Sequence, residues 1–294
     1  MSSEKLLITA VGDTTCSEDA KETFKNIANL KPSLNLFLGD ASYIKDVEEN
    51  EPAKCFTDII SSNNLKEVTM ITLGNHDDEE EDGEKVGEEL IKYFGLTSNV
   101  LYTKIIGNIY VISMNSQDFH WDRGNQAQCK WVIEKLEEAT KLRDVEKKID
   151  WIFILIHKPL YTLEANHTPE RMGRQVYHPI FDKYQVDFVF HGHNHDMQRT
   201  KPILYGGIDK DPVITSDAVD KYDFSAKHGQ IYILSGAGGR HLANFKEGKN
   251  KWTVLAQNTE FGYFTLTVEG KNIAVKAITN AGKVLNEGTF SVTK

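Results

Sequence analysis

The chain has 294 residues, 40% of them hydrophobic and 26% charged, enough to bury one large core or two modest ones. Its net charge of −9 argues against a nucleic-acid backbone or an anionic membrane surface as the main partner. An anionic small molecule stays open, because a bound cation reverses the local field. No apolar run reaches the roughly 18 residues that span a bilayer. The opening "MSSEKLLITAVGD" lacks the long apolar stretch of a signal peptide. Cys16, Cys55 and Cys129 show no metal-finger spacing and read as reduced thiols, so a cytoplasmic location is expected.

In chain order, "KLLITAV" (5–11) is strand-like, and residues 18–30 space Phe24, Ile27 and Leu30 as a helix does. A strand at 34–38, a helix around 52–62, a strand at 67–73 and a helix at 87–95 follow. Residues 100–105 and 109–114 read as a hairpin turning at Ile106-Gly107-Asn108. Residues 126–143 form the clearest amphipathic helix, with Cys129, Val132, Ile133 and Leu136 on one side. "WIFILI" (151–156) and "VDFVF" (186–190) are apolar strands, and beyond about residue 200 short alternating strands dominate. No repeat or low-complexity linker interrupts the pattern. The expectation is one α/β domain over 1–294, its last third (about 200–294) mainly antiparallel strands.

Five apolar runs stop at polar clusters of one kind. They deliver Asp13, Asp40, Asn75 with His76, His157, and His193 with His195. Ligands of α/β sheets gather where strands end, so residues distant in sequence can converge there. Asp, His and Asn offer oxygen and nitrogen donors suited to Zn, Fe or Mn. Taken singly, a Gly-Asp after a strand is a turn or a helix cap, and "GNHD" is an Asn-centred turn. All five in this order exceed the donors of one ion and fit a pair of ions that share a carboxylate.

The ordered set "GD", "GDASY", "GNHD", "H" and "GHNH" resembles the calcineurin-like metallophosphoesterases over about residues 6–200, with weaker support from "SGAGGR" (235–240). Most of that superfamily carries a histidine two residues after the first aspartate, where this chain has Thr15. "GDASY" is similar to the Gly-Asp-x-x-Tyr motif of the purple acid phosphatases, the branch that lacks that histidine and uses a tyrosinate. In many of them glycine holds the position of Thr15. A threonine there either crowds the metal or hydrogen-bonds a bound oxygen. Tyr43 on its own is equally an aromatic packed over a loop.

The resemblance implies a four-layer α/β/β/α sandwich and a dinuclear site. One ion, Fe(III), would be held by Asp13, Asp40, Tyr43 and His195. A divalent ion (Zn, Mn or Fe(II)) would be held by Asp40, Asn75, His157 and His193, with Asp40 bridging. The implied activity is hydrolysis of small-molecule phosphate monoesters by metal-bound hydroxide, as in acid phosphatases. The rivals are a phosphodiesterase acting on cyclic nucleotides or other diesters, and a non-catalytic binding module on the same fold. His76 and His167 are candidate substrate contacts, Asn166 standing where many relatives have a second histidine, and Asp77 is expected to orient His76. The acidic run 77–84 reads as a solvated loop, Arg199 as an anchor, His178 as structural at a helix start, and "SGAGGR" as a turn near the site entrance. No nucleic-acid or membrane partner is expected, and the oligomeric state is open.

Overall fold

The strand Trp151–Leu155 shows how the layers arise. Trp151, Phe153 and Leu155 enter one core while Ile152 and Ile154 enter another, so a period of two buries both faces. The computed structural model describes residues 5–43, 52–78, 80–81, 84–97, 100–120, 126–163, 167–245 and 250–294. Asn166 and, within the acidic run, residues 79, 82 and 83 lie outside them.

Two seven-stranded sheets form the centre. The first contains β1 (Lys5–Val11), β2 (Leu34–Phe37) and β3 (Thr69–Ile71), all parallel. The second contains the antiparallel hairpin β4 (Tyr102–Ile106) and β5 (Ile109–Ser113), then β6 (Trp151–Leu155) and β7 (Phe188–His191), with β5, β6 and β7 parallel. β8 (Met197–Thr200), β10 (Ile231–Ser235) and β11 (Thr253–Gln257) extend that sheet. β9 (Lys221–Asp223), β12 (Gly262–Glu269), β13 (Asn272–Thr279) and β14 (Val284–Thr293) complete the first, with β12 antiparallel to β1. The last third is therefore divided between both sheets.

Three cores separate four layers. Leu6, Ile8, Leu36, Phe153, Phe188 and Phe264 pack between the sheets. Helices α1 (Glu18–Asn29), α2 (Pro52–Ser62) and α3 (Val86–Tyr93) cover the first sheet, where Phe24, Phe37 and Phe56 form an aromatic cluster. Helices α4 (Gln126–Thr140) and α5 (Arg171–Tyr184) cover the second. The expected sandwich is the one observed. Ser17 caps α1 by accepting the Ala20 N–H, a bond that contributes about 1 kcal/mol, and Lys31 in a left-handed conformation and Pro32 end it. No helix among the described residues is long and apolar enough to cross a membrane.

Two expectations fail here. His178 is not at a helix start but inside α5, which runs through Pro179; its Nδ1 lies 2.7 Å from the Tyr161 hydroxyl, so it is structural in a different place. Cys16 and Cys55 are joined in a disulfide, leaving Cys129 as the free cysteine. Closing a loop 39 residues apart, the cross-link is expected to contribute about 2–4 kcal/mol. Cys16→Ser/Cys55→Ser should lower the unfolding free energy by that amount in a denaturant titration. Alkylation of the unfolded, unreduced wild type should label one cysteine; labelling of all three would reject the bond.

Candidate metal centre

β1, β2 and β3 present their carboxyl ends side by side, and so do β6 and β7 in the facing sheet. Asp13, Asp40 and Asn75 leave the first group, and His157, His193 and His195 leave the second. The turns that aim them are tight. Asp13 (φ 57°), Asp40 (φ 55°) and His193 (φ 72°) hold left-handed conformations, which cost free energy for residues with a Cβ. Gly74 sits so close that a Cβ there would fall on Asp40 Oδ1, and one at Gly192 would lie 2.6 Å from Asp13 Oδ2. Gly74→Ala is therefore expected to destabilise by about 1–3 kcal/mol and to impair metal uptake. Gly282→Ala, in open space but at φ 80° where Gly74 is not at positive φ, separates backbone strain from crowding. Equal melting shifts with metal uptake intact in both would contradict the crowding at Gly74.

The donor atoms form two groups that share one oxygen. Around His157 Nε2 lie Asn75 Oδ1 at 3.2 Å, His193 Nδ1 at 3.2 Å and Asp40 Oδ2 at 3.3 Å. Around the Tyr43 hydroxyl lie His195 Nε2 at 3.0 Å, Asp40 Oδ2 at 3.2 Å and Asp13 Oδ1 at 3.4 Å. Ligands held about 2.1 Å from one ion in tetrahedral or octahedral array sit about 3.0–3.4 Å from each other. Measured from His157 Nε2 and from the Tyr43 hydroxyl both groups have that spacing, with Asp13 Oδ1 and His195 Nε2 wider apart at 3.8 Å, and Asp40 Oδ2 belongs to each. The donor set fits two ions.

The outer bonds fix this arrangement. Asp13 Oδ2 accepts the His193 N–H (2.8 Å) and Asp40 Oδ1 accepts the His76 N–H (2.9 Å), which leaves Asp13 Oδ1 and Asp40 Oδ2 facing the centre. His157 Nδ1 lies 2.7 Å from the Leu38 carbonyl and His195 Nδ1 2.9 Å from that of His241, so each ring directs Nε2 inward. Burial raises the Asp13 pKa well above the carboxylate range, with Asp40 adding to it. Burial pushes Asp40 up too, but His157, then His76 and His193, hold it below its ordinary value. Burial pulls His157 down, yet Asp40 and Asp13 lift it to about 9. Burial also depresses His193 to about 2 and His195 to about 4, keeping both imidazoles neutral, as metal ligands must be.

Sequence reasoning and structure part company at several residues. Asp77, expected to orient His76, turns its carboxylate to backbone amides. Its wholly buried carboxylate accepts the N–H groups of Gly74 (2.7 Å), Ala41 (2.8 Å) and Asp40 (2.9 Å), tying two metal-facing turns together. Burial, reinforced by Asp40, raises its pKa to about 6. It is thus a positioning group, and not part of the solvated acidic loop either; exposed Asp78 follows it, and residues 80–81 and 84–85 pair as a short hairpin. His76 lies against Tyr43, ring centroids 4.2 Å apart, and His167 against His193, 4.1 Å apart, so the two imidazoles flank opposite donor groups. The Thr15 hydroxyl accepts the Ser17 N–H at the start of α1. Arg199 is a buried anchor, but through the Glu287 and Val219 carbonyls and the Tyr222 hydroxyl. "SGAGGR" runs beneath the Asp13 turn, Gly238 N–H donating to the Gly12 carbonyl (3.1 Å). Sequence reasoning missed Arg240, whose guanidinium carbon lies 4.4 Å from the Tyr43 ring centre; its only trace was a cation closing a glycine-rich turn.

Comparison with known proteins shows the family and the fold. Residues 6–197 match the family described as calcineurin-like phosphoesterase, and residues 229–287 match that described as iron/zinc purple acid phosphatase-like protein C. Purple acid phosphatase 18 of Arabidopsis thaliana is 23% identical over 86% of this chain and 54% of its own. Probable inactive purple acid phosphatase 1 of the same plant is 30% identical over 41% of this chain and 19% of its own. The purple acid phosphatase from yellow lupin (Lupinus luteus) seeds superposes with a TM-score of 0.81 at 20% identity, covering 99% of this chain and 54% of that one. The chain spans about half the length of the curated relatives it matches, or less.

Proposed function

Because the chain belongs to the calcineurin-like phosphoesterases, with a C-terminal segment of purple acid phosphatase type, we propose that it hydrolyses small-molecule phosphate monoesters at a two-ion centre. One observation carries the reading: Asp40 Oδ2 stands within 3.3 Å of both His157 Nε2 and the Tyr43 hydroxyl, so a single carboxylate oxygen serves both donor groups. Two ions held there supply an acidified water, a clamp on phosphoryl oxygens and in-line alignment with the leaving group. The chain's own residues place that chemistry. Asp77 fixes the turns of Asp40 and Gly74. His76 and His167, beside the two donor groups, are in position to hold phosphoryl oxygens or to pass a proton to the departing one.

Tyr43 supports iron on its side of the centre. Burial raises the phenol's pKa well above its ordinary value and Asp40 and Asp13 raise it further, against the opposing charge of Arg240. A highly charged, oxygen-preferring cation ionises a phenol among two carboxylates more readily than a divalent one, which favours Fe(III) there and Zn, Mn or Fe(II) on the His157 side. The names of three relatives, each a probable inactive purple acid phosphatase, favour a non-catalytic reading. Against it, all seven donor positions are filled. The cytoplasmic location expected earlier fits poorly with the Cys16–Cys55 cross-link, a kind of bond that persists in oxidising compartments.

The test is a comparison of metal-loaded and metal-stripped protein on aryl phosphate monoesters and diesters. The monoester should be hydrolysed faster, and only with metal. Faster diester cleavage would replace the substrate class. Inertness on both, with two ions bound, would turn the assignment to a binding module.

A further inference from the structure

Arg240 contributes no donor atom, yet it is built into the same centre. Its backbone N–H donates to the Asp13 carbonyl (3.1 Å), while Gly12 N–H donates to the Ser235 carbonyl (2.8 Å), so the turn 235–240 and the Asp13 turn are laced together. From that fixed point the side chain reaches over Tyr43, itself 3% exposed, and sets its guanidinium carbon 4.4 Å from the ring centre. The next residue, His241, offers its carbonyl to His195 Nδ1 at 2.9 Å. Residues 240 and 241 thus hold both non-carboxylate donors of the Tyr43 group, one through its ring face and one through its back nitrogen.

A guanidinium within about 6 Å of an aromatic face is attracted by the ring's electron density, and more strongly when the site excludes water. The attraction acts in both directions. It fixes the ring's place, and it draws electron density away from the phenol oxygen.

We infer that Arg240 is a positioning residue for Tyr43: anchored through its amide to Asp13 and laid on the phenol ring, it sets where the phenol oxygen stands between Asp13, Asp40 and His195 and weakens that oxygen as an electron donor. The inference rests on the reading that Tyr43 ligates iron, and it assigns a function that the donor geometry alone does not.

The visible spectrum of iron-loaded protein tests it, independently of activity. A phenolate relieved of a nearby positive charge gives up its electrons to iron at lower energy. Arg240→Met and Arg240→Gln should both move the phenolate-to-iron band to longer wavelength, and Arg240→Lys should return most of the shift. Tyr43→Phe should remove the band. A coloured wild type whose band stays in place in the neutral variants would overturn the role of Arg240 and leave the iron reading standing. So would a band displaced as far by Arg240→Lys as by Arg240→Gln, since that marks a role of shape alone. A colourless iron-loaded wild type would bring down both. Having two neutral variants keeps the comparison available should one of them not fold.

Discussion

Asp40→Asn protein is expected to lose both ions together, with hydrolysis reduced by at least about a hundredfold. Loss of a group that merely orients a metal ligand already weakens metal affinity or activity by about 10–100-fold. Asp40 stands closer, and its Oδ2 lies 3.2 Å from the Tyr43 hydroxyl and 3.3 Å from His157 Nε2. The amide keeps the shape and can still accept the His76 N–H at Oδ1, as the carboxylate does at 2.9 Å. What it lacks is the charge that two neighbouring cations need between them. Metal analysis of the purified variant checks this, together with the rise in melting temperature on metal addition, which ligand linkage requires of the wild type. Two ions per chain with an unchanged melting rise would show that Asp40 does not bridge.

Tyr43→Phe should bleach iron-loaded protein while leaving the chain folded. The hydroxyl lies 3.0 Å from His195 Nε2 and 3.4 Å from Asp13 Oδ1, so its removal takes one donor from one group and leaves the His157 group complete. The aromatic body, pressed between residues that include His76 and Arg240, is retained. Metal content should therefore fall for iron more than for a divalent ion such as Zn. An absorption band that survives the substitution would give the colour to another group and detach Tyr43 from the centre.

The candidate donors could be picked out in the sequence because they follow strands whose apolar pattern can be read locally, and the structure brings them within a few ångströms of one another. The strands themselves were legible for the same reason: "KLLITAV" coincides with Lys5–Val11, and the hairpin expected at 100–105 and 109–114 falls on Tyr102–Ile106 and Ile109–Ser113. What escaped depends on distant chain segments. Asp77 looked like a partner for its neighbour His76, whereas its carboxylate turns to the amides of Asp40 and Ala41, some 36–37 positions earlier. α5 was hidden by Pro179, which a helix tolerates here because Tyr177, Phe181 and Tyr184 are buried along one side. Arg240 and the Cys16–Cys55 pair carry no local pattern at all; each is defined by what the folded chain brings beside it.

The division of the donors between the two sheets has a mechanical consequence. One sheet carries the candidate donors Asp13, Asp40, Tyr43 and Asn75, and the other His157, His193 and His195, so ions bound among them would rivet the halves of the sandwich at one rim. Any sliding of one sheet over the other would then move both donor groups at once. Side chains in the seam at the far ends of those strands, such as Phe188 and Val268, would therefore share in setting the register of the centre.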